Sequence, residues 1–91
     1  MPWYRIILDE PASEELHLTE KFLDVILDHE SGSPSSALWR QKQDSTKNQS
    51  LYFLRTEHDG FRAFLDEFGA EECKDPDMSL LLPVAGAAKQ A

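Results

Sequence analysis

Apolar and polar positions divide the chain into six segments of differing period. Residues alternate from Trp3 to Leu8, fall at helical spacing from Leu18 to Ile26, and alternate again at Ala37 to Gln41 and Leu51 to Arg55. Helical spacing returns at Phe61 to Phe68, and a last apolar run fills Met78 to Leu82. Period two marks a strand and period 3.6 a helix, so the predicted order is β-α-β-β-α-β. Right-handed crossovers leave few ways to fold that order. The expectation is a ferredoxin-like α+β sandwich: a four-stranded antiparallel sheet, order 4-1-3-2, with two helices on one face.

Local signals set the expected boundaries. Pro11 removes a donor and should force the chain out of the first strand. Thr19 is the preferred N-cap of the first helix, with an earlier start at Ser13 as the alternative. The helix should end at Ser31-Gly32-Ser33-Pro34, where glycine takes the left-handed cap and proline cannot continue. Thr56 followed by Asp59 resembles a capping box for the second helix, and Gly69 sits where its C-cap belongs. Ala70 to Asp77 reads as an acidic connector. Residues 1–83 are therefore expected to form a single α+β domain, and residues 84–91 a flexible C-terminal tail.

Composition narrows the class. Hydrophobic residues make up 41% of the chain and aromatics 10%, as in a folded globule. The single cysteine, Cys73, allows no intrachain disulfide, so a reducing cytoplasm is the expected compartment. Met1-Pro2 leads straight into a strand pattern without a basic or long apolar leader, and no apolar run approaches bilayer length; neither a signal peptide nor a membrane partner is expected. A net charge of −8 repels phosphate backbones, so no nucleic-acid partner is expected either. It suits a basic protein surface, or simply keeps the chain in solution.

The strands carry the main functional signal. Tyr4, Ile6 and Leu8 make one apolar face, while Trp3, Arg5 and Ile7 make a second that is far from polar. Tyr52 and Leu54 oppose Leu51, Phe53 and Arg55 in the same way, and Leu81 joins the second set. Two helices cover only one face, and a solvated face should alternate cleanly with polar residues. A face bearing Trp3, Arg5, Ile7, Trp39, Arg40, Phe53, Arg55 and Leu81 is rich in the residue types of interface hot spots. It predicts docking, as a homodimer or on another protein, unless the C-terminal tail folds back over it. Aromatics and arginines on an open sheet also resemble the RNA recognition motif. The third strand, however, lacks that family's glycines, and the net charge opposes RNA.

Candidate chemistry is sparse. No nucleophile-elbow, Walker, dinucleotide or zinc-helix pattern occurs. His29 and His58 are too few for a structural zinc, and the carboxylates flanking Cys73 suppress its thiolate. Ser31 to Ser36 follows a helix rather than preceding one, which is the wrong end for a phosphate. Asp9, Glu10, Glu14, Glu15, Glu71, Glu72, Asp75 and Asp77 are expected to gather at one acidic end, suited to a basic partner, with no resident metal or cofactor and no catalytic residue assigned. The expected function is a non-enzymatic protein-protein interaction module, as a homodimer or as an acidic inhibitor or immunity-like protein. The alternative is a dimeric α+β barrel enzyme or small-ligand binder, whose pocket between helices and sheet would hold His17 or His58 as acid-base group.

Overall fold

A computed structural model describes residues 2–9, 11–28, 36–42, 49–57 and 59–89. Its strands are β1 (Trp3–Leu8), β2 (Ala37–Gln41), β3 (Ser50–Arg55), β4 (Glu71–Cys73) and β5 (Leu81–Gly86). Its helices are α1 (Pro11–Asp28) and α2 (Arg62–Glu67). Short 3₁₀ turns cover Asp59–Phe61, Met78–Leu80 and Ala87–Lys89. The fold is α+β, with an antiparallel sheet of five strands in the order β4-β1-β3-β2-β5.

The sheet departs from the expected four strands at its C-terminal half. The order 4-1-3-2 is there, but the strand beside β1 is Glu71–Cys73, from the segment read as an acidic connector. Met78–Leu80 is a 3₁₀ turn, and Leu81–Gly86 pairs with β2 at the opposite edge. An apolar run identifies a strand without naming its neighbour. The tail is corrected too: Val84 to Gly86 continue β5, and Ala87–Lys89 form a turn packed on the sheet.

The helix boundaries shift for local reasons. The first helix begins at Pro11, where a proline's missing N–H is one of the donors a helix leaves unpaired anyway, so Thr19 lies mid-helix. Thr56 is buried, and its hydroxyl lies 2.7 Å from that of Ser36, while α2 starts after Phe61 without a side-chain cap. Gly69 does end α2, with φ +63°: Ala70 N–H donates to Leu65 O at 2.9 Å and Gly69 N–H to Asp66 O at 3.4 Å, a Schellman closure. The expected first-helix terminator at Ser31 to Pro34, together with His29, His58 and Glu10, lies outside the described residues.

The strand registers put Tyr4, Ile6 and Leu8 on the helix side. There Ile6, Leu8, Leu38, Tyr52 and Leu54 pack against Leu18 and Phe22 of α1 and against Phe61 and Phe64. Phe61 and Phe64 meet edge to face at 5.5 Å, and Phe22 stacks on Phe61 at 5.4 Å, which ties the two helices together over the sheet. Each such ring contributes about 1.5–3 kcal/mol through burial. The interlayer space holds an aromatic and aliphatic core, with a groove of about 160 Å³ at the end lined by Tyr4, Thr56 and Leu65.

Both sheet edges are closed to strand addition. Edge β4 is three residues long and exposes Glu71 and Glu72. On β5, Lys42 N–H donates to Leu80 O at 2.7 Å, so alternation turns Leu82 toward β2 and Pro83 away from it. The missing N–H of Pro83 therefore faces the open edge, and the register shift opposite Leu38/Trp39 adds a bulge at Val84. Short length, charge, proline and bulge each discourage edge pairing.

Candidate functional site

The second face of the sheet is a core in its own right. Trp3, Ala37, Trp39, Phe53, Leu81 and Ala88 form one buried cluster, joined by half-buried Leu51, Cys73 and Ala87. The two indoles stack at 5.0 Å, and the Arg55 guanidinium lies 5.7 Å from the Trp3 ring centre and 5.1 Å from that of Trp39. Cations over indole faces are attracted by the ring quadrupole. Trp3, Trp39 and Phe53 retain only 6–7% exposure, and Gly86, at φ +70°, turns the chain so that Ala87 and Ala88 join the cluster beside β2 and β5. Its largest rings are thus buried within the chain.

The other residues expected on that face are scattered. Arg5 is exposed and lies 3.3 Å from Glu71, and Ile7 is exposed at the far end of β1. Arg40 follows Trp39 and so points to the opposite face, where it lies 3.5 Å from Glu15 of α1. Beneath that ion pair the buried Tyr52 hydroxyl stands beside Glu15 and Arg40 and makes no hydrogen bond among the described residues; burial first, then the Glu15 charge, pushes its pKa up to about 12.

The acidic residues do not converge on one end. Antiparallel pairing of β4 sets Cys73 opposite Trp3, so the chain leaves toward the start of β1 while Asp9 lies beyond its end. Asp75 borders a shallow groove with Trp3, Arg55 and Met78, and Asp77 accepts from Ser79 N–H and Oγ, which lowers its pKa. At the other end, Asp9 accepts from Gln49 Nε2 at 2.9 Å, and Glu14 borders a groove with Ile7, His17 and Phe68. Among the described residues no group of three acidic, histidine or cysteine side chains could hold a metal ion.

His17 is on the surface, with Nε2 3.2 Å from Glu67 Oε2 and its ring 5.6 Å from that of Phe68. It lies outside the interlayer space where the enzyme reading would put it. Cys73 is half-buried, and burial, ahead of Asp75 and Glu72, raises its pKa against the opposing pull of Arg5. That combination disfavours a nucleophilic thiolate.

One surface feature carries no sequence motif. On α1, Leu16, Leu23 and Leu27 are 68%, 41% and 70% exposed, on a helix whose opposite side buries Leu18 and Phe22 completely. They follow one another at near-integral turns and form a second apolar stripe. Beside it, Leu16, Thr19, Leu82, Pro83 and Val84, together with the charged Glu15, Arg40 and Lys89, line a groove of about 410 Å³ between α1 and β5. The sequence signal was the width of the apolar arc: Leu23 and Leu27 add to Leu18, Phe22, Val25 and Ile26 more than one face can bury. No helix among the described residues is long and apolar enough to cross a membrane.

Among the described residues, fold and surface define a small acidic α+β domain with a buried core on each face of its sheet, edges that discourage strand pairing and an exposed apolar stripe on α1. No protein-family model matches the chain, and no curated protein or solved structure matches it significantly.

Proposed function

We propose that this domain is a non-enzymatic protein-binding module of the acidic, inhibitor-like kind, working in a reducing cytoplasm, and that it docks through α1 rather than through the aromatic face of its sheet. Its fold reads as a ferredoxin-like sandwich extended by a fifth strand. The observation that carries the reading is the stripe Leu16, Leu23 and Leu27, left exposed on a helix whose other side buries Leu18 and Phe22 completely. Contiguous apolar surface on a small domain marks an interaction site. Further support comes from the sheet, where the chain's own Ala87 and Ala88 take the place a face-to-face dimer partner would need.

The test is the pair Leu23→Ser and Leu27→Ser. Both side chains are exposed, so the double variant should keep the parent's thermal midpoint. A complex reconstituted from the purified chain and a purified partner should form with the parent and fail with the variant. A complex that survives the double substitution would move the docking surface elsewhere, and turnover of a small substrate by the purified chain would replace the module by an enzyme.

A further inference from the structure

The leucine stripe has asymmetric borders. Glu20 lies one turn from both Leu16 and Leu23, and Asp24 one turn from Leu27; both are exposed and lie on the same side of the stripe. On the other side the stripe runs into Thr19, Ile26 and the β5 residues Leu82 and Val84. The cations there are Arg40, engaged by Glu15, and Lys89 at the end of the groove. One long border thus carries Glu20 and Asp24, with Lys21 further round the helix on that side, and the other is mainly apolar.

Two occupants fit this surface poorly. An extended peptide would seek a sheet edge, and Pro83 with the Val84 bulge closes the one beside the groove. A second copy packed antiparallel through α1 would set Glu20 and Asp24 against their own counterparts, between two chains that each carry −8. Like charges at such positions select against self-pairing.

We infer that the stripe is the docking site for an amphipathic basic helix of another protein. The inference rests on the module reading above and names its partner's chemistry. The partner's apolar residues, recurring at i, i+3 or i+4 and i+7, lie over Leu16, Leu23 and Leu27 and against Leu82 and Val84. Its Lys or Arg side chains stand along one flank only, facing Glu20 and Asp24, and the flank toward β5 is apolar. Electrostatic complementarity sets its orientation and excludes acidic helices.

The experiment uses the full chain and three synthetic peptides as long as α1: an amphipathic Leu/Lys helix, its Leu/Glu counterpart, and the Leu/Lys composition scrambled. Binding is followed by titration calorimetry and by amide chemical-shift mapping. The expected result is binding of the amphipathic Leu/Lys peptide alone, with shifts on α1 and β5 and weakening by salt. Affinity should fall by roughly tenfold or more in the Leu23→Ser, Leu27→Ser variant. The charge reversal Glu20→Lys with Asp24→Lys should transfer preference to the Leu/Glu peptide. Equal binding of the scrambled peptide would reduce the effect to net charge and overturn the inference. Binding of both amphipathic peptides at the stripe would overturn the basic-partner assignment while leaving the module intact. Shifts at α1 from no peptide would overturn both readings, and dimerisation through α1 in light scattering would assign the stripe to a second copy instead.

Discussion

Trp3 and Trp39 stack with ring centres 5.0 Å apart although their strands are not neighbours: β3 runs between β1 and β2, and the two indoles close over it. In the register Arg55 is paired with Trp3 and Phe53 with Trp39, and the Arg55 guanidinium covers both indoles. The cluster is a core assembled from side chains on a face that carries no long helix.

Removing one indole should therefore behave as a core truncation. Trp39→Ala is expected to cost about 3–5 kcal/mol in urea unfolding, the range for large aromatics lost from a packed interior. The parent's tryptophan emission should be blue-shifted and resist acrylamide quenching. Solvent-like emission from the folded chain would contradict the burial.

The cover over this cluster is its last described turn. A chain stopped after Gly86 loses Ala87 and Ala88 from the cluster. We expect about 2 kcal/mol lower stability, from lost methyl burial and newly wetted rings. The truncated chain should also bind an apolar dye and self-associate with concentration in light scattering, whereas the full chain does neither through this face.

The turn itself depends on Gly86. A Cβ there would lie 2.5 Å from Ser36 O and 2.8 Å from Phe22 Cζ, at φ +70°. Gly86→Ala should cost about 2–4 kcal/mol, combining left-handed strain with overpacking. Gly69, at φ +63° with nothing within 4 Å of its Cβ position, is the control: its alanine variant carries the strain alone, about 1–2 kcal/mol. Equal losses at the two sites would remove the steric argument.

Tyr52 links the fold to pH. Its pKa lies at about 12 in the folded chain against 10.0 for the free group, so the folded state holds the phenolic proton more tightly. That contribution is fully present below pH 10 and is lost as pH rises through the folded value, because the unfolded chain releases the proton first. Tyr52→Phe should flatten the alkaline decline. Near neutrality it should be neutral or add about 1 kcal/mol, since the hydroxyl it deletes is buried and makes no hydrogen bond among the described residues. A loss of stability on this substitution would show that the hydroxyl is satisfied in solution.

Local pattern carried much of the architecture. Alternation assigned Tyr4, Ile6 and Leu8 to one face and Trp3, Arg5 and Ile7 to the other, and the register keeps those sets apart. The same alternation separates Trp39 from Arg40, and ignoring it places Arg40 on the wrong side. The width of the apolar arc on α1 was visible as well, but which leucines would stay wet was not. That depends on where the helix starts and what crosses above it, and a start at Pro11 rather than Thr19 is what brings Leu16 onto the stripe.

The sequence by itself determined the helix and strand segments as far as Arg55, the two-sided character of the sheet and the acidic balance, because these depend on side chains within one or two turns of one another. Tertiary structure decided which segment takes each edge, since a strand of three residues such as Glu71–Cys73 has no periodicity to read and is held only by its ladder to β1. It also decided that the aromatic face is closed by the chain itself. Two alanines after a glycine carry no pattern, and their effect comes from where the turn at Gly86 delivers them. With the large rings of that face buried, the outer stripe of α1 is the exposed apolar surface on which the proposed docking rests.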